Sequence, residues 1–164
     1  MPTIELTTQI NAPKEVVFDL SISIDLHKLS TQQTNEEAIA GVTEGMMKLG
    51  DTVTWRAKHL GFYQKLTTKI TDYDRPNSFT DEMVKGIFKS MKHEHIFIET
   101  DDGTIMKDIF RYYSPLGFLC KIVDGLFLKK YLTRFLLQRN EVIREYAEND
   151  RWKELINIHE NEKQ

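Results

Sequence analysis

One cysteine, Cys120, is all that the 164-residue sequence holds, so no internal disulfide staples the chain and its stability must come from a packed core. No secretory signal is recognisable, which makes the cytoplasm the expected compartment. Positive charge is not in excess. The formal net charge is −3, which excludes a global field that would recruit nucleic acid or an acidic membrane. Long uncharged apolar runs are missing too. The most apolar stretch, residues 118–137, is interrupted by Lys121, Asp124, Lys129, Lys130 and Arg134, whereas a membrane span needs roughly 20 largely uncharged residues. The sequence has no phosphate-cradling glycine loop, no dinucleotide fingerprint, no internal repeat and no linker. A single globular domain is what these absences leave, with an ordinary 40% hydrophobic and 29% charged composition.

What is present is mostly period-two alternation. Ile4, Leu6, Thr8 and Ile10 share one face of an opening strand. Asn11-Ala12-Pro13-Lys14-Glu15 then reads as a helix start with a capping side chain, and a second short helix is expected over residues 21–29. A weak strand follows at 37–42. After a turn at 45–51, strands are expected at 52–60, 62–73, 79–85, 92–99 and 104–112, joined by turn-length connections such as Asp74-Arg75-Pro76-Asn77 and Thr100-Asp101-Asp102-Gly103. Connections this short favour an antiparallel meander over a parallel sheet, which needs crossover helices.

The C-terminal region changes period. Leu128, Tyr131, Leu132, Phe135, Leu136, Val142, Ile143 and Tyr146 fall on one helical stripe, and Lys130, Arg134, Gln138, Glu141 and Glu145 on the other side. Phe118, Leu119, Ile122, Val123 and Leu126 point roughly opposite to that stripe, so a short segment capping a cavity mouth is expected before the long helix, with Gly125 as its hinge. Arg139 lies within the apolar stripe, where a charge needs an acidic partner on the sheet. Residues 149–164 form a polar tail in which Trp152, Leu155 and Ile156 make one amphipathic turn, suited to docking on the body or on a partner. The expected fold is α+β: a curved antiparallel sheet of about six or seven strands wrapped around a long C-terminal helix, with two short helices after the first strand.

Particular motifs carry a resemblance. Ile10-Asn11-Ala12-Pro13 with Glu15-Val16-Val17-Phe18-Asp19, then Gly50-Asp51-Thr52-Val53-Thr54-Trp55, Lys58-His59-Leu60-Gly61, Asp74-Arg75-Pro76, Phe79-Thr80-Asp81-Glu82, Lys85-Gly86-Ile87-Phe88-Lys89 and His93-Glu94-His95 resemble the START-like helix-grip superfamily, also called SRPBCC. That superfamily includes the pollen-allergen-like proteins and the polyketide cyclases. The likeness spans about residues 3–147 and is strongest to a bacterial subfamily described only as ligand-binding. It implies one ligand-binding domain over residues 1–148 and an internal, mostly apolar pocket. It names neither a ligand nor a reaction.

Alternation places Trp55, His59, His93, His95 and Asp108 on the concave face, and Asp81 joins them if Phe79 and Met83 face inward. Buried charges must be paired or shift their pKa. Three readings of this group follow: a structural network in which Arg139 neutralises Asp108 or Asp81, the polar floor of a ligand pocket, or a His–Asp acid–base pair. In the pocket reading Trp55, Phe97, Met106, Phe110 and Tyr112 form apolar wall, and His59, Asp81, His93, His95, Asp108 and Arg139 the polar end. His93-x-His95 with His59 or an acid also has the chemistry of a zinc site, but an isolated HxH carries little weight and the resemblance implies neither metal nor cofactor. The leading expectation is therefore binding of a small apolar or amphipathic molecule, without nucleic acid or membrane insertion. The alternatives are a cyclase, dehydratase or hydrolase using His93 or His95 with Asp108, and an interaction protein acting through its tail. His27 is expected on the surface.

Overall fold

The structure, a computed structural model, describes residues 2–59, 61–113 and 127–161, with side chains to 156. The opening strand β1 (Thr3–Ile10) leads into α1 (Lys14–Ile22) and α2 (Ile24–Ser30), followed by a 3-10 turn at Gln32–Thr34. Six further strands come next: β2 (Glu37–Gly41), β3 (Thr52–His59), β4 (Phe62–Asp74), β5 (Ser78–Lys85), β6 (Ser90–Thr100) and β7 (Gly103–Tyr113). The long helix α3 (Lys129–Glu148) and a short α4 (Trp152–Asn161) close the chain. The seven strands form one antiparallel sheet in the order β1-β7-β6-β5-β4-β3-β2. This is the expected α+β helix-grip architecture. The Pro115–Asp124 segment, its Gly125 hinge and Cys120 lie outside the described residues.

Local chemistry explains most boundaries. Pro13 occupies the N-cap of α1 in an extended conformation, and no side chain caps that helix. The expected cap at Asn11 is not made, since Asn11 lies two residues before the N-cap position; its backbone N–H donates instead to the Glu148 carboxylate of α3, 2.9 Å away. Ser23 separates α1 from α2 and accepts from the Leu26 N–H at 3.3 Å, satisfying a donor that the first helical turn leaves open. Two motifs distant in sequence meet here. Arg75, in the β4–β5 turn, grips Asp19 of α1 through two bonds of 2.7 Å, a fork geometry that suits guanidinium and carboxylate.

The core has two apolar clusters. The larger packs α1, α2 and the C-terminal half of α3 onto the sheet around Phe18, Leu20, Ile24, Val53 and Ile143. Phe18 makes edge contacts with Tyr73, Phe79 and Phe97. The smaller holds Ile4, Met91, Phe110, Tyr112 and Leu136 under the first half of α3. Trp152, Leu155 and Ile156 of α4 pack onto the larger cluster, so the tail's apolar turn docks on the body. No helix among the described residues is long and apolar enough to cross a membrane.

Candidate functional site

A cavity of about 190 Å³ lies between the two clusters, bounded by the concave face of the sheet, α2 and the first half of α3. Most of its lining is apolar, including Val53, Ile70, Phe79, Leu132 and Leu136. Its titratable side chains gather chiefly at the floor and at one side wall, with Gln64, Lys65 and Thr68 elsewhere on the lining.

The floor is built by strand register. β6 and β7 are joined by a two-residue turn, and the pairing that follows sets His95 opposite Asp108. On its other side β6 sets His93 opposite Asp81 and His95 opposite Phe79. Phe79 is buried, so the open question about β5 resolves with Asp81 facing inward. His93 and His95, two residues apart, share the concave face, with ring centroids 3.8 Å apart. Each carboxylate meets both rings. Asp108 Oδ1 lies 3.1 Å from His93 Nε2 and 2.8 Å from His95 Nδ1, while Asp81 Oδ2 lies 3.9 Å from His93 Nδ1 and 3.3 Å from His95 Nε2.

Helix α3 meets this floor differently from expectation. Arg139 is buried, but it donates chiefly to the Ser21 carbonyl at 2.8 Å and reaches Asp108 only at 4.0 Å, the limit of an ion pair. Its long side chain passes the acid and fastens α3 to the end of α1. The shorter Asn140, one residue on, makes the direct link by donating to Asp108 Oδ2 at 2.6 Å and to Thr8 Oγ1 at 3.2 Å. Asn140 was not among the expected residues. Its position beside Arg139 on the inward stripe was the available signal.

Burial and charge act against each other at the floor. Burial pushes the Asp108 carboxyl up, but hydrogen bonds and charge from His93 and His95 hold it well below the ordinary range. Asp81 follows the same pattern and lies below its ordinary value, with His95, His93 and Arg139 outweighing burial. His93 is pushed down to about 4, first by burial and then by the charge of His95, and so is neutral at pH 7.

The side wall was missed by sequence reasoning. His27 is not a surface residue: it lines the cavity and stacks on Trp55, with centroids 4.2 Å apart. Its Nε2 lies 3.4 Å from the carboxylate of Glu36, whose side chain is only 7% exposed. A signal for Glu36 existed. Glu36 immediately precedes β2, and if the alternation of the strand is extended back by one residue it falls on the face opposite Glu37. Glu37 takes the outer side and pairs with Arg56 at 2.6 Å. Burial raises the Glu36 carboxyl, but His27 and His59 draw it below its ordinary value. His59, lowered by burial against the opposing pull of Glu36, meets the Tyr131 hydroxyl of α3 at 2.8 Å.

Seven expected site residues therefore line the cavity: Trp55, His59, Asp81, His93, His95, Phe110 and Arg139. Four do not. Asp108 lies behind the two histidines, Phe97 packs on Phe18, Met106 sits against Ser21, and Tyr112 fills the smaller cluster. They share the inward face, but helices α1 and α3 cover the β7 and β6 ends that carry them. Ile22, Met47 and Leu66 supply apolar wall in their place.

A curved antiparallel sheet of seven strands with a long C-terminal helix lying against it defines the architectural class as the helix-grip fold. Neither a protein-family model nor a curated protein sequence matches the chain, whereas solved structures do. The Zhui aromatase/cyclase from Streptomyces sp. R1128 is similar at TM-score 0.69 and 15% identity, over 90% of this chain and 93% of that one. Ginseng major latex-like protein 151 from Panax ginseng is similar at TM-score 0.66 and 18% identity, over 89% and 97%. A protein from Thermus thermophilus gives TM-score 0.68 at 16% identity, over 87% and 97%. At these identities the likeness is one of fold.

Proposed function

We propose that the protein binds a small, largely apolar molecule whose polar groups are held at the cavity floor or at the Glu36 wall. The observation that carries this reading is the cavity itself, apolar over most of its surface with a few polar side chains, most of the ionisable ones at the floor and the side wall. Ligand pockets characteristically have this composition, because apolar contact supplies affinity and a few polar groups fix orientation. Its volume of about 190 Å³ suits a molecule of one or two rings, since an engineered cavity of roughly 150 Å³ takes benzene. Trp55 and Phe79 supply aromatic surface, and Glu36 presents an acceptor suited to a hydroxyl or amine. Native mass spectrometry of the purified protein, followed by calorimetric titration with 1-naphthol, tests the reading. A co-purified small molecule or saturable naphthol binding is expected. The absence of both overturns it.

Catalysis is the second reading, because His95 borders the cavity between two carboxylates. The low His93 value argues against that residue as a base, since an efficient one titrates near the working pH. Alanine at His95 leaving all turnover of a bound molecule unchanged would dispose of this reading.

A further inference from the structure

We infer that the cavity floor is a binding site for a divalent first-row transition metal ion, with His93 Nδ1, His95 Nε2 and Asp81 Oδ2 as protein ligands. The argument begins with Asp108. An ionised carboxylate only accepts hydrogen bonds, so His93 Nε2, hydrogen-bonded to Asp108 Oδ1 at 3.1 Å, is the N–H position of that ring; His95 Nδ1 lies 2.8 Å from the same oxygen without hydrogen-bond geometry, and its Nε2 is hydrogen-bonded to Asp81 Oδ2 at 3.3 Å. That leaves His93 Nδ1 as a lone pair, and an ion bound at His95 Nε2 would displace the proton between that nitrogen and Asp81, with Nδ1 left to carry the ring N–H towards Asp108. His93 Nδ1 and His95 Nε2 face Asp81 Oδ2 at 3.9 and 3.3 Å. One donor atom from each of Asp81, His93 and His95 lies within 4.8 Å of the other two. Three electron-pair donors thus converge on one point.

Such a set calls for a cation. A proton joins only two of the three atoms and leaves the third unmatched. A metal ion satisfies all three, and tetrahedral bonds of about 2.0–2.1 Å imply donor separations of roughly 3.3 Å; the His95–Asp81 pair is at 3.3 Å, and the His93–Asp81 pair, at 3.9 Å, closes slightly on binding. Asp108 lies behind both rings, hydrogen-bonded to His93 Nε2 and 2.8 Å from His95 Nδ1, where metal sites carry a carboxylate that orients their histidines. It is itself held by Asn140 at 2.6 Å. The two-nitrogen, one-oxygen donor set suits zinc and its neighbours rather than magnesium or calcium. Both histidines are nearly buried, and the exposed remainder of Asp81, 19% of its side chain, borders the cavity. The ion's free coordination positions therefore face the space where an apolar molecule would lie. The metal site itself does not depend on that molecule, so the two proposals fail separately.

The test is titration of EDTA-treated, dialysed protein with Co²⁺, read by its visible ligand-field bands, and competition with Zn²⁺ against a chromogenic chelator. One ion per chain is expected, with a rise in thermal midpoint. Asp81→Asn and His93→Ala, confirmed as folded by circular dichroism, should each weaken binding at least about tenfold, and Asp108→Asn by about 10–100-fold, the usual range for a group behind the ligands. Glu99→Ala, at an exposed position of β6, should leave affinity unchanged. X-ray absorption on the wild-type zinc protein needs no variant, and two imidazole ligands are expected. Failure of the wild type to bind one ion overturns the inference. So does binding that survives His93→Ala, or a spectrum with fewer than two imidazoles.

Discussion

Asn140 is the side chain through which the long helix holds the sheet, and its replacement gives the sharpest test of the floor. In Asn140→Ala the Asp108 carboxylate loses a 2.6 Å bond. Asp108 and Asn140 are each 1% exposed, so water does not replace it. Hydrogen bonds to charged groups contribute about 1.5–3 kcal/mol, and loss of the side chain's packing brings the expected destabilisation to roughly 2–4 kcal/mol. Asn140→Asp separates electrostatics from packing, because it keeps the shape and sets a second carboxylate against Asp108. At pH 7 the two like charges make this variant less stable than Asn140→Ala. On acidification one proton shared by the pair restores a hydrogen bond. The sign follows from linkage: the pair's pKa in the folded state is raised above the unfolded value, so its stabilising contribution is present in acid and lost as pH rises through the folded value. Asn140→Asp should therefore gain on Asn140→Ala between pH 7 and pH 5 in urea unfolding of EDTA-treated protein. Equal stability of the two variants at both pH values, or a loss below about 1 kcal/mol in Asn140→Ala, would refute the assignment of Asn140 as the link.

Three further outcomes are expected. In metal-free protein, stability should fall as pH drops from 6.5 towards 4, because His93 is held down to about 4 in the fold, while in the unfolded chain it takes up its proton near its ordinary value of 6.5. At 1.36 kcal/mol per pKa unit the full loss is about 3 kcal/mol, and His93→Gln should flatten the profile of urea midpoints across that window. Gly103→Ala should cost roughly 1–3 kcal/mol in chemical denaturation: Gly103 has φ +121°, and a Cβ there would come within 2.4 Å of the Ile10 carbonyl oxygen. Ala57→Phe should fill the cavity that Ala57 borders, lowering 1-naphthol affinity at least about tenfold while unfolding changes by no more than about 1–3 kcal/mol.

How much of this was legible beforehand depends on where register is decided. The faces of the strands were readable from alternation alone, so the inward set Trp55, His59, His93, His95 and Asp108 could be named. The contact between His95 and Asp108 follows from the two-residue turn at Asp101-Asp102, a register that was not drawn from the sequence. Asp81 against His93 could not be read, because an irregular connection at residues 86–89 separates their strands and no pattern fixes its offset. The β4–β5 pairing adds register shifts near residues 67–68 and 70–72. The His27–Glu36 wall depends on how α2 lies across Trp55, a tertiary fact that seven residues of weak period do not encode. Arg139 shows the opposite failure. Its need for a partner was clear, but its length let it reach past the sheet to the Ser21 carbonyl.

The two polar stations differ in what they demand of an occupant, and this bears on how the cavity works. At the floor, two acids and two imidazoles lie within contact of one another, with Arg139 at the edge. Their geometry is fixed by three adjacent strands and by Asn140, and rigid elements hold a constellation more tightly than loops do. At the wall, Glu36 sits just before the edge strand β2, and His59 is tied to Tyr131 of α3. Fewer hydrogen-bonded neighbours hold that side, so small movements are less costly there. On the proposed binding reading, a molecule entering between them meets a polar floor of histidines and acids and an acidic side wall. That asymmetry favours an occupant with an oxygen donor at one end and a hydrogen-bond donor at the other, separated by an apolar body.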